Sequence, residues 1–201
     1  MLNRFLADSE YLDCSHPAVL AKARELAGAV TNPLEIARRC FEFVRDEIRH
    51  SWDYRQNPVT CKASAVLAHG TGYCYAKSHL LAALLRANGI PAGLCYQRLS
   101  QGDHGAPYCL HGLNAVYLPE HGWYRLDARG NKPGVDAQFC PSLERLAFTV
   151  REAAEADLPE IWPEPLPVVI EVLTRSATVE EVFANLPDVE LLNLSQGGTH
   201  G

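Results

Sequence analysis

The spacing of apolar residues in the first half of the chain is helical. Apolar side chains recur there every three or four positions, which places them on one face of a helix. Proline stands near the start of two of these stretches, and glycine stands at or just beyond the end of three. The pattern predicts a loop over residues 51–61 and four helices, at residues 17–28, 33–49, 63–69 and 74–88.

Beyond Pro91 the pattern changes to short segments in which apolar and polar residues partly alternate. Tyr, Val, Trp and Leu are enriched in these segments, as is typical of strands. Three strands are predicted, at residues 92–99, 108–118 and 123–128. A polar loop over residues 100–107 joins the first two, and residues 119–122 close a hairpin between the last two. Helices followed by antiparallel strands predict an α+β domain.

The length and composition of the chain fit one globular domain with an appendage. The chain has 201 residues, of which 47% are apolar and 21% are charged. We predict a domain over residues 1–157, a C-terminal arm over residues 158–194 packed on the same domain, and a flexible tail over residues 195–201. The arm begins with a Pro-rich segment, residues 158–167. This segment either fixes the arm as a semi-rigid strap, which we favour, or crosses the substrate cleft as a lid.

Charge and hydropathy exclude several classes of protein. The 24 Asp and Glu residues outnumber the 18 Lys and Arg residues, so the formal charge is −6. No block of basic residues offers a surface for nucleic acid, and no apolar stretch is long enough to span a bilayer. The first ten residues turn acidic before a secretory signal could form. We therefore expect a soluble, cytoplasmic protein with neither nucleic acid nor membrane as a partner, whose oligomeric state the sequence does not indicate.

Seven cysteines are spread along the chain without a C-x-x-C pair. This spacing argues against a zinc ribbon, a zinc finger or a thioredoxin-type redox centre. Cys74 differs from the others because it lies at, or within one residue of, the start of the fourth predicted helix. Unpaired backbone N–H groups there stabilise a thiolate and can bind an oxyanion. Gly70 and Gly72 allow a tight turn that would leave the sulfur exposed at the helix tip, so Cys74 is a candidate nucleophile.

A nucleophilic thiol needs a base, and the base needs an acceptor that orients it. His111 lies in the second predicted strand and Asp127 lies in the third. A three-residue turn over residues 119–121 would pair Leu118 with Gly122, and His111 would then be a diagonal neighbour of Asp127 on the same face. A two-residue or four-residue turn without a bulge would put them on opposite faces. The predicted hydrogen bond between His111 and Asp127 therefore depends on this register.

Four segments of the chain together resemble the transglutaminase-like superfamily. That family's pattern is G-x-C, a helix closing in R-x-x-G-I-P-A-R, H-x-W-x-E-v-y near a strand, and G-W-x-x-x-D after a hairpin. The matching segments, within about residues 30–130, are Gly72-Tyr73-Cys74, the helix end 84–92, His111–Leu118 and Gly122–Asp127. The resemblance implies the papain-like α+β fold, with N-terminal helices packed on an antiparallel sheet. It also implies that Cys74 is the nucleophile, His111 the general base and acid, and Asp127 the residue that orients His111.

The reaction implied by this resemblance is acyl transfer through a thioester. The Cys74 thiolate would attack an amide or ester carbonyl of a peptide or small amide substrate, and His111 would protonate the leaving group. Water or an amine would then resolve the thioester. The oxyanion would be bound by the Cys74 N–H and by a second donor, for which Trp52, Gln56 and His69 are open candidates. No cofactor or metal is expected, since neither a calcium site nor the zinc site of peptide N-glycanases is recognisable.

The chain departs from the family pattern at two places, and other functions remain open. Gly112-Leu113 stands where the family often has Ala-Trp, and Gly93 stands where it has Arg. Both changes alter the pocket wall, so a substrate cannot be carried over from the family. One alternative function is a non-catalytic interaction module on the same fold. Another is a Cys/His metal site, with these candidate ligands: Cys74, His104, Cys109 and His111.

Overall fold

Helices form the first half of the chain in the computed structural model, which describes residues 2–191. They are a 3₁₀ helix at Leu2–Phe5, α1 (Pro17–Ala27), α2 (Pro33–Glu47), α3 (Ser51–Tyr54), α4 (Ala63–His69) and α5 (Cys74–Ala87). At the start of α2, Asn32 Oδ1 accepts a hydrogen bond from Leu34 N at 2.9 Å, and Pro33 follows the cap. Gly28 and Gly70 end α1 and α4 with φ angles of 56° and 63°. The four predicted helices are thus confirmed.

The chain between α2 and α4 contains structure that the hydropathy pattern does not predict. The loop predicted over residues 51–61 is wrong at its start, where α3 forms a single turn, and α2 ends at Glu47. Arg49–His50 (β1) pairs in parallel with Thr71–Gly72 (β2). Elements of two to four residues are too short to show a hydrophobic period, because their conformation is set by the segments they pack against.

Four antiparallel strands form the main sheet, in the order β5–β4–β3–β6. They are β3 (Ala92–Ser100), β4 (Tyr108–Leu118), β5 (Gly122–Leu126) and β6 (Ala156–Asp157). The first three confirm the predicted strands, whereas the short β6 was not predicted. Leu118 pairs with Gly122, and Asn114 pairs with Leu126. This is the register that a three-residue turn over residues 119–121 predicts.

Helix α5 forms the centre of the core. Every residue from Cys74 to Arg86 is buried, and the helix contacts α1, α2, α4, β3 and β4. A helix that is surrounded on all sides can carry a charged residue only where its donors are satisfied. The Arg86 guanidinium meets this condition by donating to the main-chain oxygens of Ala7, Ala92 and Pro163, at 2.8, 3.0 and 2.6 Å. The predicted α+β architecture, with N-terminal helices packed on an antiparallel sheet, is confirmed.

The C-terminal arm runs beside β3. Trp162 exchanges two main-chain hydrogen bonds with Leu94, at 2.8 and 2.9 Å, and the arm continues into α6 (Pro167–Arg175) and α7 (Val179–Ala184). Gly93 allows this close approach, since a Cβ atom there would stand 2.4 Å from Ile161 Cγ2. The arm therefore occupies the space beside β3 that a larger side chain at position 93 would fill.

The predicted domain division concerns the C-terminal half of the chain. The boundary after residue 157 stays a prediction, because the packing of the arm on β3 does not define where the domain ends. The predicted tail over residues 195–201, and residues 192–194 of the predicted arm, lie outside the described residues. Within residues 2–191, none of the helices combines the length and the apolar character that crossing a membrane requires.

Candidate active site

Cys74 is the first residue of α5. Tyr73 before it has an extended backbone and makes no capping hydrogen bond with its side chain. Gly72 allows the chain to pass close to Ala76 and Thr60 just before α5 begins. A Cβ atom there would stand 3.0 Å from Ala76 Cβ and 3.2 Å from Thr60 Oγ1. The first-turn N–H groups of a helix are unpaired within the helix and carry its positive dipole end. Cys74 therefore occupies a position at which a helix stabilises an anion.

The Cys74 side chain is less exposed than the sequence predicts. Only 7% of the residue is accessible, so the expectation of a sulfur exposed at the helix tip was wrong. The physical reason is that β4 lies against the start of α5. Gly112 N donates to Cys74 Sγ at 3.5 Å, the Tyr75 hydroxyl donates to Leu110 O, and a Cβ on Gly112 would stand 2.9 Å from Tyr75 Cδ1. The sulfur consequently lies at the base of a cleft.

His111 and Asp127 form a buried hydrogen-bonded pair beside Cys74. His111 Nε2 lies 2.7 Å from Asp127 Oδ2, and the two residues are 5% and 1% exposed. Two main-chain groups hold the carboxylate: Ala147 N donates to Oδ2 at 3.0 Å, and Arg129 N donates to Oδ1 at 3.1 Å. Because Nε2 is bonded to Asp127, Nδ1 is the ring nitrogen left for Cys74. The structure thus brings together the three side chains that the sequence singles out.

The charges of this pair follow from burial and from their mutual contact. Burial alone would lower the pKa of His111, but the Asp127 carboxylate and Cys74 raise that pKa to about 10. Burial would raise the pKa of Asp127, but His111 and the two main-chain N–H groups outweigh it, so that pKa is lowered. At neutral pH His111 is therefore an imidazolium ion beside a carboxylate.

A cleft of about 300 Å³ opens over Cys74 and His111. Trp52, Phe148 and Phe183 form its aromatic wall. The rings of Trp52 and Phe183 stack with centroids 3.7 Å apart at 4°, and Phe148 lies edge-on to His111 at 4.9 Å. No residue of the described segment 158–167 lines the cleft, which agrees with a strap and not with a lid. Polar and charged residues also line the cleft, among them Ser100, Gln101, Asp103, Arg151 and Glu155.

Arg129 links Asp127 to a second carboxylate, that of Asp53 in α3. Its main-chain N–H binds Asp127, and its guanidinium donates to both oxygens of Asp53, at 2.6 and 3.0 Å. Lys132 Nζ adds a third bond to Asp53 at 2.8 Å. Partial burial would raise the pKa of Asp53, but these cations outweigh it and lower that pKa. The ionised Asp53 therefore fixes the chain after β5 to α3.

His50 lines the same cleft, although no sequence pattern singles it out. Its ring lies edge-on to Tyr73 with centroids 5.5 Å apart, and the residue is 7% exposed. Among the residues that the structure describes, His50 Nδ1 is buried without a hydrogen-bond partner, and Asp53 Oδ2 lies 3.8 Å away from it. Burial and the Arg129 guanidinium hold the pKa of His50 well below its ordinary value. His50 is therefore a neutral imidazole at pH 7.

Of the other residues that the sequence suggests, some line the cleft and others do not. Trp52 lines it, whereas Gln56 and His69 do not. Cys109 also lines it, and burial raises the pKa of its thiol to about 12, but His104 lies elsewhere. In the part of the chain that the structure describes, no three His, Cys, Asp or Glu side chains come together so as to hold a metal ion. The structure gives the metal-site alternative no support.

Comparisons with known proteins concern the elements that carry the three candidate side chains. Residues 21–128 match the family described as the transglutaminase-like superfamily. Among solved structures, the "Putative Cysteine Protease from Cytophaga hutchinsonii" is 20% identical, with a TM-score of 0.53, and the match covers 64% of this chain and 42% of that one. The periplasmic domain of TgpA from Pseudomonas aeruginosa is 24% identical, with a TM-score of 0.44, over 56% and 42% of the two chains. A search of the curated proteins found no match.

The family match identifies the family, and the Cytophaga hutchinsonii structure bears on the fold. This chain spans less than half the length of either solved structure. The similarity to the Cytophaga hutchinsonii structure concerns the fold, and with the family match it confirms the predicted papain-like α+β fold. The family match covers more than half of the chain, from α1 to the end of β5, and includes the positions of Cys74, His111 and Asp127. The chain belongs to the transglutaminase-like superfamily.

Proposed function

We propose that this protein is a cysteine-dependent hydrolase or acyltransferase, which acts on an amide-bound acyl group through a thioester on Cys74. Family membership supports cysteine-based catalysis in general. The observation that supports the specific residues is their arrangement: Cys74 at the start of α5 lies beside His111 of β4, which is bonded to Asp127 after β5. A nucleophile, a base and an orienting carboxylate from three separate elements form the working unit of cysteine and serine acyl transfer.

In the first half-reaction the Cys74 thiolate attacks the substrate carbonyl carbon. As the C–S bond forms, an electron pair moves to the carbonyl oxygen, and this oxyanion accepts a hydrogen bond from the Cys74 main-chain N–H. His111, as an imidazolium, gives its Nδ1 proton to the leaving nitrogen, or to the leaving oxygen of an ester. The C–N or C–O bond then breaks. The products are a free amine or alcohol and a thioester on Cys74.

In the second half-reaction the neutral His111 accepts a proton from water or from an amine that attacks the thioester. The C–S bond breaks, Cys74 leaves as a thiolate, and His111 is again an imidazolium beside Asp127. Asp127 stays ionised throughout, held by the N–H groups of Ala147 and Arg129. Attack by water is hydrolysis, and attack by a primary amine is transamidation. Both outcomes use the same three side chains.

The volume of the cleft favours a substrate group of small size. Its volume of about 300 Å³ is at the lower end of the range for small-molecule sites, so one side chain of a peptide or a small amide would fill it. The aromatic wall would contact the apolar part of that group, and the reacting carbonyl would face Cys74.

The cytoplasmic location and the absence of nucleic-acid and membrane partners stay predictions.

Labelling of the thiols tests whether Cys74 and His111 act as a pair. Burial raises the pKa values of five other thiols to about 11 or 12, those of Cys14, Cys40, Cys61, Cys95 and Cys109. Iodoacetamide reacts with thiolates, so we expect Cys74, at the start of α5 and beside the His111 imidazolium, to be alkylated first below about pH 7. Mass spectrometry resolves the label by cysteine, and His111→Ala should remove the rapid reaction of Cys74. Cys74 reacting no faster than the half-buried Cys140 would contradict the proposal.

Acylation tests the chemistry itself. Mixing the protein with p-nitrophenyl acetate should release p-nitrophenolate in a burst and leave one acetyl group on Cys74, identified by peptide mapping at acidic pH. Cys74→Ser and His111→Ala should lose the burst. Cys109→Ser is the matched control, because Cys109 lines the same cleft but is held as a thiol by burial. A folded wild-type protein that gives no acetylated Cys74 would instead indicate a non-catalytic interaction module.

A further inference from the structure

We infer that His50 supplies the second hydrogen bond to the oxyanion, from an N–H at Nε2. This inference rests on the proposed function, since it assigns a role in the same acyl transfer. A tetrahedral intermediate is stabilised by donors that are in place before charge develops on its oxygen. The Cys74 main-chain N–H is one such donor, but the nearby Gly112 N–H already faces Cys74 Sγ at 3.5 Å. A second donor must come from another residue that lines the cleft.

The backbone holds His50 close to Cys74. The Cα atom of His50 is paired with that of Gly72 in the parallel β1–β2 bridge, and Cys74 is two residues beyond Gly72. A buried side chain reinforces the bridge, because Thr71 Oγ1 donates to Arg49 O at 3.2 Å. The position of His50 is thus fixed by the same short strand that leads into α5. An oxyanion donor requires such preorganisation.

The two ring nitrogens of His50 have different surroundings. Within residues 2–191 Nδ1 is enclosed and has no hydrogen-bond partner, whereas Nε2 is not enclosed in this way and the ring lines the cleft. Asp53 Oδ2 is 3.8 Å from Nδ1, beyond hydrogen-bond length, and both Asp53 oxygens already accept bonds from Arg129 and Lys132. Neither tautomer gives Nδ1 a hydrogen-bond partner, whereas a proton on Nε2 can meet a ligand in the cleft. An oxyanion bound in the cleft therefore selects the tautomer that donates from Nε2.

The charge of His50 suits a donor and not a second acid. Because burial and Arg129 lower its pKa, His50 is neutral where His111 is cationic. A neutral imidazole can polarise a carbonyl oxygen. A second imidazolium in the cleft would compete with His111 for the thiolate. The two cleft histidines therefore take different roles, one transferring a proton and the other binding the oxyanion.

Trp52 is the competing donor, because it also lines the cleft and carries a ring N–H. Its ring is covered by Phe183, with centroids 3.7 Å apart, and by the Arg55 guanidinium, 3.3 Å from the ring centroid. These contacts place Trp52 in the wall of the cleft. His50, in contrast, is tied to the strand that precedes Cys74.

The test compares two reactions of Cys74, of which only one forms an oxyanion. Acetylation by p-nitrophenyl acetate passes through a tetrahedral intermediate, whereas alkylation by iodoacetamide does not. We expect His50→Leu to lower the acetylation rate constant by about 100-fold to 1000-fold, the cost of removing one oxyanion donor. Its alkylation rate at pH 7 should stay close to that of the wild type. His50→Gln, which keeps a side-chain N–H, should recover part of the acetylation rate.

Each other outcome overturns the inference. Equal acetylation of wild type and His50→Leu would show that His50 is not a donor, and a loss confined to Trp52→Phe would assign the donor to Trp52. Parallel loss of acetylation and alkylation in both His50 variants would show that His50 only keeps Cys74 in place. His50→Gln keeps the test valid if near-UV circular dichroism shows that His50→Leu is unfolded. A wild type that is not acetylated would overturn the proposed function itself, which separates that failure from the others.

Discussion

Gly112 in β4 lies so close to Tyr75 in α5 that no side chain fits between them. A Cβ atom on Gly112 would stand 2.9 Å from Tyr75 Cδ1 and 3.1 Å from Tyr75 Cα. Relief of this clash must separate β4 from the first turn of α5, which carries Cys74. We expect Gly112→Ala to lower the free energy of unfolding by about 1–3 kcal/mol, as overpacking does. It should slow acetylation of Cys74 by up to about 100-fold, because small displacements of reacting groups are costly.

Urea unfolding and the p-nitrophenolate burst measure these two effects separately. Gly102→Ala is the matched control for stability, since a Cβ atom there meets no atom within 4 Å. Its free energy of unfolding should equal that of the wild type. If folded Gly112→Ala were acetylated at the wild-type rate, the start of α5 would tolerate displacement and this prediction would be wrong.

Asp127→Asn keeps the shape of the orienting residue but removes its charge. Without the carboxylate, burial dominates and the pKa of His111 falls, so the imidazolium present at pH 7 is lost. We expect the acetylation rate at pH 7 to fall by about 10²-fold to 10⁴-fold, the contribution of proton transfer by a positioned side chain. The rapid alkylation of Cys74 below pH 7 should also disappear. Retention of that alkylation would mean that Asp127 does not hold the charge of His111.

Phe183→Ala removes one side of the stack in the aromatic wall. The variant should bind peptide or ester substrates more weakly, with a raised KM and little change in kcat, because Phe183 stacks on Trp52 in the wall of the cleft and is not one of the three reacting side chains. Loss of one aromatic pair should cost about 0.5–1.5 kcal/mol of stability. Val168→Ala, on the exposed side of α6 and outside the cleft, is the control. A fall in kcat with unchanged KM would contradict a role in substrate binding.

His111 and Lys77 make opposing contributions to stability above neutral pH. The raised pKa of His111 lets the folded state hold a proton that the unfolded state releases, so its contribution falls between about pH 6.5 and 10. Lys77 is buried, its Nζ donates to Ile48 O, and burial lowers its pKa from 10.5 to about 7. Its contribution to the free energy of unfolding therefore rises over about pH 7–10.5. Each slope is at most ~1.4 kcal/mol per pH unit.

A Cys74→Ser background removes the thiolate that the proposed function places beside His111, so the two slopes should nearly cancel there, and the free energy of unfolding should change little between about pH 7 and 8.5. The variants that follow carry Cys74→Ser as well. Lys77→Met removes the rising contribution, so the stability of that variant should fall with pH. His111→Gln removes the falling contribution, so the stability of that variant should rise. Urea unfolding at several pH values distinguishes them. Parallel curves for all three proteins would contradict both assignments.

The contact between His111 and Asp127 could be predicted because its determinants are local. The turn over residues 119–121 sets the register of β4 and β5, and the register sets which side chains share a face. The place of Cys74 at the start of α5 also follows from nearby residues, since helix boundaries are marked within a few positions. These signals are properties of short segments, so one sequence is sufficient to read them.

The role of His50 in the cleft could not be predicted, because its position depends on a distant segment. Two residues of β1 find their partners in β2, after α3 and α4 have intervened. The burial of Cys74 is similar, since it arises when β4 packs against the start of α5. The short β6 likewise pairs with Gln97 and Arg98 only after a long irregular stretch. Such contacts are created by tertiary packing, which overrides local pattern.

Position 93 of β3 and the C-terminal arm compete for the same space. A Cβ atom at Gly93 would stand 2.4 Å from Ile161 Cγ2 and 3.0 Å from the main-chain oxygen of Trp162. The arginine common at this position in the family would therefore displace the arm from the sheet. Glycine at this position is thus a marker by which relatives with a similarly docked arm can be sought among sequences alone. A chain with a larger residue at this position could dock such an arm only with a shift of the arm or of β3.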